Sequence, residues 1–368
     1  MNGGTDMQNP FTHTFGMEPG KYISTVQTEE IVENFSYPNP SEKCYMITGV
    51  RGCGKTVMLS KIVEELKKDD SWIVIDLNVT KDMQLQLAAK LAQEKQVQKC
   101  FLKPSIEISI AGISAGLEYS KEKIFDINVL IERMVQTLSS HEKRIIITLD
   151  DVSATSEMRE FAHTFQGLLR AKLPVHIIMT GLLSNYRDVT NKPEFKDCTF
   201  LTRAFQIMVE PLDYSQIAVS YLNTFDISEK EAIKLAKMTR GYAFAYQVLG
   251  WLFFEKTVNG KSKNLEFEYT SELIKYCYSK IWTELTEKEI LIVKSMVELG
   301  ADSQKVKRED IIKEVEKTEP ISSASFNTYK ERLIGKGILT VSINRDGFYW
   351  IELPQFGEFV RMYHMDEF

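Results

Sequence analysis

Residues 46–59 read MITGVRGCGKTVML, and the spacing Gly49-x-x-x-x-Gly54-Lys55-Thr56 constrains the fold more than any other feature of the chain. Such a loop needs a strand before it and a helix after it. Both are in place. CYMITG is a short apolar run, and GKTVMLSKIVEELKK repeats its apolar residues at helical spacing. Glycine admits backbone conformations closed to other residues, so successive N–H groups can converge on one anion. The helix that begins after Gly54 adds the positive end of its dipole. The stretch is therefore expected to cradle phosphates, with Gly49, Arg51, Gly52, Cys53, Gly54, Lys55, Thr56 and Val57 as its nucleotide-binding residues. In this loop type the lysine reaches the β- and γ-phosphates and the hydroxyl ligates Mg2+. ATP and Mg2+ are the expected cofactors, and Cys53 contributes only its backbone N–H.

A second element supports this. RIIITLDD, residues 144–151, is an apolar strand ending in two acids. Asp150 at such a strand end suits a Mg2+ partner beside Thr56. Asp151 would then orient or activate the attacking water. A helix cap or a solvated turn would also accommodate two acids there.

Further strands are expected at SWIVIDLN, VHIIMTG and RAFQIMVEPL. They read as continuous apolar runs separated by helices, the pattern of a parallel sheet covered on both faces. The helices are a short one at Thr28–Phe35, then KDMQLQLAAKLAQEKQ, INVLIERMVQTLSS and SEMREFAHTFQGLLRAKLP. SIEISIAGISAGLEYSK alternates and reads as an inserted β-hairpin, about residues 104–120. From about Asp213 four segments are helical: SQIAVSYLNTF, SEKEAIKLAKMT, GYAFAYQVLGWLFFEKT and TSELIKYCYSKIWTEL. From about Thr286 three helices precede ILTVSINRDGFYWIELP, two strands around a turn, which together make a winged helix.

The five cysteines include no CxxC pair, so reduced thiols in a cytoplasmic setting are expected. The five histidines show no metal spacing. No uncharged run, Gly241–Phe254 included, exceeds 14 residues, short of the roughly 20 that a membrane span needs. The first residues lack a basic-then-apolar signal. A net charge of −6 argues against a generally nucleic-acid-coating surface.

These motifs resemble those of the AAA+ ATPases, in the clade of archaeal ATPases, STAND proteins and origin-recognition initiators. The resemblance runs over nearly the whole chain. It implies an α/β fold: a P-loop NTPase three-layer αβα core with a parallel sheet, then a helical lid and a winged helix. The divisions it suggests are an N-terminal arm on the nucleotide site (1–40), the ATPase core (41–212), the lid (213–285) and the winged helix (286–368). NPFTHTFGMEPGKYIS is similar to the arm that packs against adenine, with Ser24 and Thr25 where a Gly-Arg pair is usual. VHIIMTG resembles the sensor-1 strand and gives Thr180 a role at the γ-phosphate or the water. FLTRAFQIMVEPLDYSQ resembles the segment with an arginine before the last strand, so Arg203 would act as a finger on a neighbouring subunit of a homo-oligomer. TRGYAFAYQVLG resembles the sensor-2 segment, with Phe244 at the arginine position and Arg240 as the nearby substitute. Many hydrolysing relatives have glutamate where this chain has Asp151, which implies slow turnover.

A winged helix usually reads DNA with its third helix and wing. Ser323, Asn327, Lys330, Lys336 and Arg345 are the candidate contacts. In residues 286–368, however, 12 Lys and Arg stand against 15 Asp and Glu, a balance of −3. DNA affinity comes largely from basic charge. Three functional readings follow: a slow Mg-ATPase switch, an ATP-dependent DNA-binding initiator or regulator, and a non-hydrolysing signalling switch.

Overall fold

CYMIT, RIIITL and VHIIMTG are too apolar to expose either face, and with WIVIDL and the edge strand FQIM they join one sheet. They form β1 (Cys44–Thr48), β2 (Trp72–Leu77), β5 (Arg144–Leu149), β6 (Val175–Gly181) and β7 (Phe205–Met208). Their order is β2-β5-β6-β1-β7, and every neighbouring pair is parallel. The computed structural model describes residues 7–14, 19–100, 117–119, 122–124, 126–261, 264–342 and 347–365. The chain divides into two compact units, a sheet unit (26–48 and 55–208) and a helical unit (1–25, 49–54 and 209–368).

In the sheet unit, helices α1 (Val26–Ser36), α2 (Lys55–Leu66), α3 (Met83–Leu91), α4 (Lys95–Cys100), α5 (Ile127–Ser139), α6 (Ser156–Arg170), α7 (Leu183–Asn191) and α8 (Thr199–Arg203) flank the strands. The single helix expected over KDMQLQLAAKLAQEKQ is broken between α3 and α4. An unbroken helix would put Leu91 and Val97 on different faces, six residues apart. The break lets both be fully buried. Thr155 caps α6, accepting from the Met158 N–H at 3.2 Å. The helices α7 and α8 were not expected. Of the predicted hairpin, residues 104–116 and 120 lie outside the described residues. A short antiparallel ladder pairs β3 (Leu117–Tyr119) with β4 (Glu122–Ile124).

Among the described residues edge strand β7 pairs only with β1, and Phe205 and Met208 on it are about half exposed. The Gln27 side-chain amide of α1 donates to the Met208 carbonyl at 2.8 Å.

His176 on β6 is buried among Phe35, Trp72 and the Arg144 guanidinium, which lies 4.1 Å over the Trp72 ring. Desolvation, with smaller contributions from Lys43 and Arg144, pulls its pKa down to about 4. The unfolded chain, at about 6.5, binds this proton more readily. The group's contribution to stability is therefore complete above pH 6.5 and is lost as pH falls toward 4. We expect about 2 kcal/mol of this loss between pH 7.5 and 5. Urea melts of wild type and His176→Phe at both pH values check this: the variant should lose that much less.

The helical unit contains α9 (Tyr214–Leu222), α10 (Glu229–Met238), α11 (Ala243–Thr257), α12 (Leu265–Leu273), α13 (Ser279–Thr283), α14 (Glu287–Glu298), α15 (Arg308–Glu316), α16 (Ser323–Gly335) and α17 (Phe356–Tyr363). A π-helical turn, Ile274–Tyr278, joins α12 to α13. The lid helices and the winged helix share one apolar core. The wing gains a third strand: β8 (Val306–Lys307) pairs with β10 (Phe348–Ile351), which also pairs with β9 (Leu339–Val341). The N-terminal arm packs on α11. Phe11 lies over Gly250 beside Tyr221, Phe225 and Tyr246, and Asn9 Nδ2 donates to the Trp251 carbonyl at 3.0 Å.

Candidate functional site

The acidic end of β5 gathers the polar groups of the sheet unit. Thr56, on the first turn of α2, donates its hydroxyl to Asp150, 3.0 Å from Oδ2. Thr180, the penultimate residue of β6, is fully buried and donates its hydroxyl to the same carboxylate. Register explains the meeting: β5 and β6 are parallel neighbours, with Leu149 opposite Met179. The Thr180 oxygen also accepts from the Asp151 N–H at 3.1 Å, and the Thr180 carbonyl accepts from the Val152 N–H at 2.8 Å. Thr180 therefore uses its one proton and a lone pair to fix the two acids. Asp151 has φ of 59°, left-handed for a non-glycine residue, and its side chain is exposed. Aspartate tolerates this conformation better than most residues, and such strain concentrates at functional sites. One strand over, Thr148 donates to Asp76 at 2.9 Å.

The loop Gly49–Gly54 belongs to the helical unit. Gly52 and Gly54 have φ of 79° and 100°, which side chains resist. The turn closes with the Cys53 N–H donating to the Val50 carbonyl at 3.3 Å. A Cβ on Gly49 would come within 2.5 Å of Cys53 Sγ, and one on Gly52 would overlap the Tyr242 hydroxyl. Gly49 is thus required by packing, and Gly52 by packing as well as by torsion. Lys55 and Val57 lie half-buried on the first turn of α2, at the loop's end.

The remaining candidates lie elsewhere. Arg203 ends α8 just before edge strand β7 and is exposed. Phe244 is buried beside Tyr276, and its N–H donates to the Gly52 carbonyl at 3.1 Å. Arg240 donates to the carbonyls of Ile351, at 2.7 Å, and Asp302, so its guanidinium ties the lid to the winged-helix module. In the winged helix, Lys336 pairs with Glu289 and Lys330 with Glu331, both at 2.9 Å. Ser323 and Asn327 are exposed and lie near Arg308, and Arg345 lies outside the described residues. Tyr242 was not singled out in the sequence. It sits in an apolar run that reads as core, and its partner Arg51 is 191 positions away.

Among the described residues no helix is long and apolar enough to cross a membrane. No curated protein matches the chain. Residues 35–180 match the family described as an ATPase domain predominantly from Archaea. A Walker-type ATPase of Pyrococcus abyssi shares the fold with a TM-score of 0.61 and 15% identity, over 93% of this chain and 96% of that one. The ORC2 protein of Aeropyrum pernix, in ADPNP-ADP complexes, gives 0.60 and 12% identity, over 95% of this chain and 96% of that one. Its ADP form gives 0.50 and 11%. Both likenesses run over nearly the whole of this chain and show a shared fold. Residues 35–180 are thus similar to this predominantly archaeal ATPase-domain family, and the chain as a whole has the α/β P-loop NTPase-like fold that it shares with these two proteins.

Proposed function

We propose that the protein is a Mg2+-dependent ATPase of slow turnover that works as a nucleotide-controlled switch in the cytoplasm. The observation that carries this reading is the convergence of the Thr56 and Thr180 hydroxyls on Asp150 at the end of β5. The donor set fits a small hard cation. A hydroxyl and a carboxylate oxygen lie within 3.0 Å of each other, and Mg2+ prefers oxygen ligands with one or two carboxylates, completed by phosphates and water. Thr56 and Asp150 would hold the ion, which when bound would neutralise charge on the β- and γ-phosphates.

The chain's own residues do the rest. The N–H groups of Gly52 to Thr56 and the ammonium of Lys55 receive the phosphates. Asp151 orients the attacking water, and Thr180 holds the Asp151 peptide. Aspartate is one methylene shorter than glutamate and reaches a water less well, which supports slow hydrolysis. Arg203, exposed at the edge of the sheet unit, would complete a neighbour's site in a homo-oligomer. The internal pairing of Lys336 and Lys330 in an acidic winged helix favours intramolecular or protein contact over DNA for that module.

The test is steady-state phosphate release by wild type and Asp151→Ala. We expect the variant to fall to a few per cent of wild-type turnover, while ATP affinity stays within about twofold, because Asp151 acts on water and not on phosphate. Equal background rates in the two proteins would replace this reading with that of a non-hydrolysing switch.

A further inference from the structure

Gly49–Gly54 is held by four groups from the rest of the helical unit. The Tyr242 hydroxyl donates to the Arg51 carbonyl at 2.5 Å, and the Phe244 N–H donates to the Gly52 carbonyl at 3.1 Å. The other two come from the winged helix and from the end of α13, the last lid helix. Gly337 follows α16 with φ of 71°, and a Cβ there would overlap Val50 Cγ1. Arg51 pairs with Glu284 at 2.9 Å, immediately before α14. Behind these lies a second tier. Lys336 donates to the Glu284 carbonyl at 2.7 Å and to Glu289 Oε2 at 2.9 Å. The Glu289 side chain is fully buried. On the lid side, the π-helical turn brings Cys277 Sγ to 3.3 Å from the Tyr242 oxygen.

We propose that Tyr242 is a positioning residue for the phosphate loop, and that Gly337 of the winged helix and Glu284 at the end of the lid, itself held by Lys336 of the winged helix, brace the same loop. Nucleotide occupancy and the seating of the winged helix are then linked. This rests on the reading of Gly49–Thr56 as the ATP-phosphate cradle. A trans peptide is planar, so its N–H points opposite to its carbonyl. Holding the Arg51 carbonyl toward the lid directs the Gly52 N–H to the other side of the loop, and holding the Gly52 carbonyl fixes the peptide whose N–H, that of Cys53, closes the turn on Val50. A loop ordered beforehand spares the ordering cost on binding. Burial drives the Tyr242 phenol well above its ordinary pKa, so it remains a donor across the working pH range. Linkage is reciprocal: whatever the brace adds to ATP affinity, ATP returns to the seating of Gly337 against Val50.

The experiment measures MgATP affinity and turnover for Tyr242→Phe and Gly337→Ala, with Lys55→Ala as the control for the cradle itself. Tyr242→Phe keeps the ring and loses one neutral hydrogen bond, so affinity should fall about fivefold, with the apo melting temperature close to wild type. Gly337→Ala displaces Val50 and should weaken affinity about tenfold. In both, the loss should fall on affinity, with turnover approaching wild type at saturating ATP. MgATP should also slow amide exchange of residues 333–341 in wild type and less so in Tyr242→Phe. If Lys55→Ala binds ATP normally, the cradle reading fails. If Lys55→Ala loses binding while both other variants bind as tightly as wild type, the brace is wrong and the cradle stands.

Discussion

Lys55→Ala is expected to lose ATP affinity by at least about 100-fold, with little change in the melting temperature of the nucleotide-free protein. The size follows from the charge removed. A lysine at the first turn of α2 is the cation that the GxxxxGKT spacing fixes, while Arg51 in the same loop is paired with Glu284, and charge-assisted hydrogen bonds to phosphate are roughly twice as strong as neutral ones. The backbone N–H groups and the helix terminus remain, so residual binding should survive at millimolar nucleotide. Titration with a fluorescent ATP analogue checks the affinity, and a thermal melt without nucleotide checks the fold. Wild-type affinity in this variant would remove the nucleotide reading of the loop.

The second large effect belongs to Asp150. It accepts from both Thr56 and Thr180, so its removal acts on chemistry and on folding together. Asp150→Ala should cut phosphate release by about 100-fold or more, the usual scale for losing a preorganised electrostatic group. It also leaves the Thr180 hydroxyl, fully buried, without its acceptor. That costs about 1–3 kcal/mol. Asp150→Asn retains an acceptor and should lose the activity with less of the stability. Combining Asp150→Ala with Thr180→Val should recover part of the lost stability and none of the turnover. Phosphate release and urea melts on the four proteins separate the two contributions. Unimpaired turnover in Asp150→Asn would dissociate Asp150 from the metal role.

Much of the architecture was legible because it is written in local patterns. VHIIMTG and RIIITL have no polar face to give to water, and each ends where a site residue stands: Thr180 within the first, Asp150 just after the second. Less legible were features set by distant partners. Lys336 reads as a cation on a recognition helix, yet its ammonium lies against Glu289, 47 positions earlier. Glu289 in turn reads as an ordinary capping residue after Thr286, and the capping box is present. Nothing in TEKE signals that this carboxylate is fully buried. Tyr242 is a similar case: in GYAFAYQVLG its ring is indistinguishable from the core residues around it, and only the fold reveals where the hydroxyl goes. The left-handed backbone at Asp151 was hidden too, since aspartate follows many strands without adopting it.

The outer edge of β7 carries one more consequence. A strand paired on a single side offers its remaining carbonyls and N–H groups as a template for another chain, and half-exposed Phe205 and Met208 would make such pairing adhesive. The Gln27 amide imitates an incoming backbone by occupying the Met208 carbonyl. Fraying of the helix Val26–Ser36 would withdraw that amide and uncover a sticky edge, so the colloidal behaviour of this protein depends on a helix remote in sequence from the strand it guards.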